Sequence, residues 1–141
     1  MSRRDLVQRL GGVPLFALCT NRELQRLAKA AEVVDVDADT TLVLQGDHGT
    51  GVFVLLGGGA RVVRNKRTIA KLGAGSQFGE LALLDPGPRT ATVITTEPSR
   101  VAIIDASTFR AVLHESPAMA ERLLAALARR ARDAGMADSG A

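Results

Sequence analysis

The feature that most constrains this chain is a train of short β-rich runs, at 33–37, 41–44, 52–56, 60–64, 68–72, 90–95 and 100–104, punctuated by Asp, Gly, His, Asn and Pro. Such runs, recurring about every 8–12 residues with turn residues between them, predict an antiparallel sandwich or barrel. Helical patterning is confined to the two ends. Thr20-Asn21-Arg22-Glu23 has the spacing of a capping box, in which each side chain satisfies a backbone N–H of the other's turn. Leu24, Leu27, Ala28 and Ala31 follow at helical intervals, with Arg22, Gln25, Arg26 and Lys29 on the solvent side. Beyond the last strand, 105–114 reads as a short helix capped by Asp105 or Ser107, and Ser116-Pro117 opens a second with Pro in its first turn. Met119, Leu123, Leu124, Leu127 and Ala131 give that helix an apolar stripe. The polar stretch around Asn65-Lys66 and Glu97-Pro98-Ser99 read as surface turns, and Gly57-Gly58-Gly59 predicts a loosened hairpin.

With 141 residues, 46% of them hydrophobic and 23% charged, the chain has the length and composition of one globular domain. No apolar run approaches the ~20 residues of a membrane-spanning helix, and no signal-peptide core follows Arg3, Arg4 and Arg9. Cys19 has no second cysteine with which to pair, so a cytoplasmic setting is the expectation. The net charge of +3 is mild. Basic residues gather at both ends, yet only Phe16, Phe53, Phe78 and Phe109 are aromatic, which leaves little for base stacking, and the charges read as solvated surface.

One stretch departs from strand patterning: Gly73-Ala74-Gly75-Ser76-Gln77-Phe78-Gly79-Glu80-Leu81-Ala82-Leu83-Leu84-Asp85-Pro86-Gly87-Pro88-Arg89-Thr90-Ala91-Thr92-Val93. After Gly79 there is room for about one helical turn before two prolines stop it. A glycine ahead of such a turn lets an anion approach the unpaired backbone N–H groups, and Arg89 would bring a planar, permanently charged fork to the same anion. Glu80 then needs a separate task, and accepting a hydrogen bond from a ribose hydroxyl is one. Glu80 could equally cap its own turn with Arg89 as its ion-pair partner, and residue chemistry alone leaves both readings open.

Phe78-Gly79-Glu80-Leu81-Ala82-Leu83-Leu84 followed by Pro88-Arg89-Thr90-Ala91-Thr92-Val93 resembles the phosphate-binding cassette of the cyclic-nucleotide-binding domain family. This family includes kinase regulatory subunits, cyclic-nucleotide-gated channels and catabolite-activator regulators. Val13-Pro14-Leu15-Phe16, Gln45-Gly46-Asp47, Val52-Phe53-Val54-Leu55 and Gly58 before Val62 stand in the family's order, so the resemblance runs from about Leu10 to Arg132. It implies a mainly β fold, a jelly-roll-like double-stranded β-helix with an N-terminal helix and two C-terminal helices. The expected organisation is a binding domain over 1–134, with helical segment 1–31, β-roll 32–105 and lid helices 106–134, followed by a flexible tail at 135–141.

The resemblance also implies a 3′,5′-cyclic nucleotide as ligand. Arg89 and the cassette backbone, including Leu81 and Ala82, would hold the phosphate, with the Thr90 hydroxyl and Ala91 N–H beside it. Glu80 and the Gly79 backbone would hold the ribose, Phe78 would belong to the site, and Val62 and Ile69 would line the base pocket or serve as ordinary core. The last helix would close over the base, with Arg130 matching a basic lid residue of prokaryotic channel domains. A hydroxyl residue after the arginine occurs in cGMP-preferring kinase sites and in cAMP-responsive members alike; cAMP is expected over cGMP. Phe53 stands where many members have Tyr.

The expected role is a non-enzymatic second-messenger receptor acting on an unidentified protein partner, with a homodimer among the assemblies to be considered. The alternative within the same class is a regulatory domain excised from a larger channel, transporter or signalling protein. A cupin-like metal enzyme is disfavoured, because His48 and His114 are the only histidines and lack ligand spacing. Ser76 and Ser107 lack a nucleophile-elbow context. Specific DNA binding is not expected, since about ten residues after Ala131 cannot supply a helix-turn-helix.

Overall fold

A computed structural model describes residues 1–49, 51–80 and 87–138, and the side chains of these except at 130, 131 and 133–138. Eight described strands form two four-stranded antiparallel sheets. β1 (Glu32–Val36), β8 (Ser99–Ile104), β3 (Val52–Gly57) and β6 (Gln77–Phe78) make one, in the order β1-β8-β3-β6. β2 (Thr41–Val43), β7 (Thr92–Thr95), β4 (Gly59–Arg64) and β5 (Arg67–Gly73) make the other, in the order β2-β7-β4-β5. The described helices are α1 (Arg3–Gly11), α2 (Asn21–Ala30), α3 (Ala106–Glu115) and α4 (Pro117–Asp138), with a 3₁₀ turn at Pro14–Phe16.

β3 and β8 bury both faces, which is why they read as continuous apolar runs rather than alternating ones. Val52, Val54, Leu56, Ala102 and Ile104 face the helices, where they meet Leu10, Phe16, Leu27, Phe109, Val112 and Met119. Leu55 and Val101 point the other way, into a second cluster between the sheets with Ala60, Phe78 and Val93. Each large side chain buried in this way contributes about 1.5–3 kcal/mol. Phe16 and Phe109 meet as a tilted pair with centroids 6.1 Å apart, joining the 3₁₀ turn to α3.

The helix starts follow the sequence closely. Thr20 and Glu23 form both halves of the capping box, and Asp105 accepts from the Thr108 N–H at the start of α3. Ser116 Oγ accepts from the Met119 N–H as Pro117 opens α4. Two elements escape the sequence reading. α1, capped by Ser2, inserts Leu6, Val7 and Leu10 into the helix-side core, and Arg9 Nη1 donates to the Leu56 carbonyl at 2.8 Å, tying α1 to the end of β3. α4 runs beyond residue 134 to Asp138, because one Gly in a helix costs only about 1 kcal/mol when Ala and Met surround it.

The glycine run also behaves differently from expectation. Gly58 sits at φ +93°, and a Cβ there would run into Ser99 Oγ and lie 2.7 Å from the Pro98 carbonyl oxygen. Ser99 Oγ donates to the Glu97 carbonyl at 2.8 Å, so these glycines permit close contact between the β3–β4 and β7–β8 turns. β4 keeps an unbroken register with β7, while its pairing with β5 shifts between Val62 and Val63.

Candidate functional site

The site is built where the loop after β2, the start of β3 and the end of β6 converge on Arg89. The main chain of Arg89 is bracketed by that loop: its N–H donates to the Asp47 carbonyl at 2.7 Å, and its carbonyl accepts from the Gly46 N–H at 2.9 Å. Gly46, at φ +91°, makes the turn that presents both groups. A neighbouring clasp holds the loop to the β4–β5 turn, with Gln45 Nε2 donating to Asn65 Oδ1 at 2.9 Å and the Asn65 N–H donating to Gln45 Oε1 at 3.0 Å. Asn65 and Lys66 both have positive φ, the two-residue turn that suits the twist of a tight hairpin.

Arg89 is 9% exposed as a residue, and its guanidinium turns inward. Nη1 donates to the Gly79 carbonyl at 3.1 Å and Nη2 to the Gly51 carbonyl at 3.2 Å, while Cζ stands 5.8 Å from the centroid of the Phe53 ring. Phe53 is stacked on Phe78, centroids 5.1 Å apart, so the fork rests on an aromatic pair that closes the inter-sheet core. Glycine is required at 79 and closely packed at 49. A Cβ at Gly79, whose φ is +89°, would lie 2.7 Å from the Gly51 oxygen and 2.8 Å from Arg89 Nη1, and one at Gly49 would lie 3.0 Å from Nη2.

Glu80 is 1% exposed and follows directly on Gly79. Burial pushes the Arg89 pKa below its ordinary value, and the Glu80 charge opposes that push. Guanidinium remains charged through any such shift, so the structure holds a fixed cation at the floor of the site with an acid beside it. Of its five N–H groups, the two carbonyls take two. The remaining donors are what a fork can offer an anion in a single plane.

Among the other residues singled out in the sequence, Phe78 is buried in the inter-sheet cluster, stacked on Phe53, and Val62 is partly buried against the same cluster. Ile69 is 49% exposed at an irregularity in the β4–β5 pairing. Thr90 is exposed, and its carbonyl accepts from Arg64 Nε at 3.1 Å; Ala91 is half-buried. Leu81 and Ala82 lie outside the described residues, as does the helical turn expected after Glu80. Arg130 falls within α4, and its side chain lies outside the description. The sequence reading did not assign Gly49, Gly51 or Phe53 to the site. The signal available was the spacing of glycines at 46, 49 and 51 just ahead of an aromatic-bearing strand.

Residues 33–116 match the family description "Cyclic nucleotide-binding domain", which spans more than half of the chain. The chain belongs to the cyclic nucleotide-binding domain family. This domain is 30% identical over 111 residues to the CRP-like cAMP-activated global transcriptional regulator of Mycobacterium tuberculosis, covering 75% of the chain and 50% of that protein. It is 34% identical over 130 residues to the Pycsar effector protein XpPycTIR of Xanthomonas perforans, covering 91% of the chain and 42% of the effector.

Among solved structures, the Thermus thermophilus catabolite activator protein superposes with a TM-score of 0.81 at 29% identity, over 89% of this chain and 62% of that one. The regulatory domain of Toxoplasma gondii PKA, crystallised with cAMP, gives 0.72 at 27% identity, over 78% and 44%. The cyclic nucleotide-binding domain thus accounts for about half the length of the curated relatives it matches. Among the described residues no helix is long and apolar enough to cross a membrane.

Proposed function

We propose that this cyclic nucleotide-binding domain is a cytoplasmic, non-enzymatic receptor for a 3′,5′-cyclic nucleotide, with cAMP preferred to cGMP. The observation that carries the reading is the inward guanidinium of Arg89, a residue only 9% exposed, held by two glycine carbonyls and an aromatic face with donors to spare. A cation fixed in advance loses little entropy when a phosphodiester arrives, and a planar fork matches two phosphate oxygens. The cAMP in the Toxoplasma gondii PKA structure and the cAMP-activated regulator among the relatives support the choice of nucleotide.

In this reading the phosphate lies on Arg89, with Thr90, Ala91 and the backbone at Leu81 and Ala82 around it. The ribose meets Glu80 and the Gly79 backbone, Val62 and Ile69 flank the base, and Phe78 supports the floor. α4 closes over the base, with Arg130 on the closing helix, and its altered position is the signal passed to a protein partner. The free energy for closure comes only from tighter binding to the closed arrangement. Calorimetric titration of the full chain with cAMP and cGMP in parallel tests the reading. It expects measurable binding of both, tighter for cAMP, and about 30-fold or greater weakening of either by Arg89→Ala, the lower limit for truncating one partner of a buried charge pair. Equal binding by parent and variant would remove Arg89 from the role.

A further inference from the structure

The two sheets end in edge strands of opposite charge. β5 is the outer strand of its sheet and is exposed at every position except Leu72. The hairpin it forms with β4 carries Arg61, Arg64, Lys66, Arg67 and Lys71 and no acidic residue. The pairing sets Arg61 opposite Lys71 and Arg64 opposite Arg67, arrangements that cost stability. None of the five forms an ion pair among the described residues; Arg61 reaches only Thr68 Oγ1 and Arg64 only the Thr90 carbonyl. β1 is the outer strand of the other sheet, and the stretch from Glu32 through Asp39 carries Glu32, Asp35, Asp37 and Asp39 with no basic residue. Its one described ion pair is Asp35 with Arg100 on β8.

Each edge also displays one large apolar side chain. Val33 on β1 is 38% exposed and Ile69 on β5 is 49% exposed, and no other strand residue belongs to the exposed large hydrophobics described. Val33 and Asp35 border an open cleft of about 490 Å³, to which Leu6, Ala28 and Ala31 contribute apolar surface. Arg3, Lys29 and Arg100 also line that cleft and outnumber Asp35, so the attraction for a basic strand comes from the β1 edge, with Glu32, Asp35, Asp37 and Asp39, and not from the cleft.

We propose that β5 of one copy pairs with β1 of a second copy, continuing the sheet from molecule to molecule in a head-to-tail contact. β5 is bulged at Ile69, with Lys71 opposite Arg61 and Arg67 opposite Arg64, so these two cations face opposite sides of the sheet and one of them shares a face with Asp35 when the edges pair. A carboxylate held by one guanidinium retains acceptor positions for a second. Edge lysines and arginines also serve to discourage pairing, and here they do so selectively. β5 against β5 sets cation on cation, β1 against β1 sets acid on acid, and only the mixed contact is attractive. The hairpin does not act as a free ribbon for a nucleic-acid groove: β7 pairs with it from Ala60 to Val63, and the Gln45–Asn65 clasp holds its turn. A mixed contact is heterologous, so it adds subunits without closing into a two-fold dimer unless the rotation completes a ring.

Sedimentation velocity on the full chain without nucleotide tests this, across protein concentration and from about 0.05 M to about 1 M salt, where the screening length falls to about 3 Å. The expectation is a weight-average mass that rises with concentration past twice that of one chain at low salt and returns to one chain at high salt. Arg67→Thr with Lys71→Thr disables one edge, and Val33→Lys disables the other. Each variant alone should stay monomeric with an unaltered circular dichroism spectrum, while an equal mixture should form a one-to-one pair and grow no further. A parent chain that is monomeric at every concentration and salt overturns the proposal, whatever acidic molecule the hairpin then binds. A salt-insensitive dimer retained by both variants overturns it as well.

Discussion

Gly79→Ala is the most informative single perturbation of the site, because the same backbone conformation occurs elsewhere without the crowding. Gly79 and Gly75 have φ values of +89° and +92°, yet a Cβ at Gly75 meets nothing within 4 Å, whereas one at Gly79 meets the Gly51 oxygen at 2.7 Å and Arg89 Nη1 at 2.8 Å. Placing alanine at such a positive φ costs about 1–3 kcal/mol, and that cost is common to both variants. At Gly79 either the Gly51 carbonyl or the fork must also move, which disrupts at least one charge-assisted hydrogen bond, worth about 1.5–3 kcal/mol. The expected difference between the variants is therefore about 1.5–3 kcal/mol. At about 3 °C per kcal/mol for a chain of this size, Gly79→Ala should melt roughly 4–9 °C below Gly75→Ala. Thermal melts of the two proteins, followed by circular dichroism, measure it. Identical melting temperatures would show that the fork is not packed against Gly79 as described, and the preorganisation argument would fall with it.

Gly58→Ala should destabilise by about 2–4 kcal/mol in urea titrations, from positive φ and the collision with Ser99. Adding Ser99→Ala should recover only part of that, since the Pro98 carbonyl and Ser99 Cα remain at 2.7 Å; full recovery would contradict the packing. Asp105 is held at a pKa of about 2 by hydrogen bonds from Ser107 and Thr108 at the start of α3. Its folded value lies below the ordinary aspartate value of 3.8, so the stability it lends is complete above about pH 4 and is lost as pH falls toward 2. Asp105→Ala should cost about 1 kcal/mol at neutral pH and show a shallower decline between pH 4 and 2, and acid titrations of equal slope would refute the capping role.

The parts of the fold that were legible in the sequence are those fixed by short-range chemistry. The Thr20–Glu23 box, the Asp105 cap and Pro117 at the head of α4 each need only a few neighbouring residues, and the strands from β1 to β5 announce themselves by composition between turn residues. α1 was not legible, because Leu6, Val7 and Leu10 are too few to mark a stripe, and the helix owes its place to the core beneath it. β6 has two residues and exists only through its pairing with β3. The family's cassette is readable as a contiguous stretch, whereas the surroundings of Arg89 are not. Gly49, Gly51 and Phe53 stand 36 or more positions earlier in the chain, and only the folded sheet brings their backbone and ring to the guanidinium.

The central claim, a cyclic phosphodiester held by the Arg89 fork, is tested most directly by a crystal structure of the chain grown with saturating cAMP. The account predicts phosphate oxygens within hydrogen-bond distance of the Arg89 guanidinium, and a ribose hydroxyl on the Glu80 carboxylate. A nucleotide seated elsewhere, with Arg89 still bonded only to the Gly51 and Gly79 carbonyls, would contradict it.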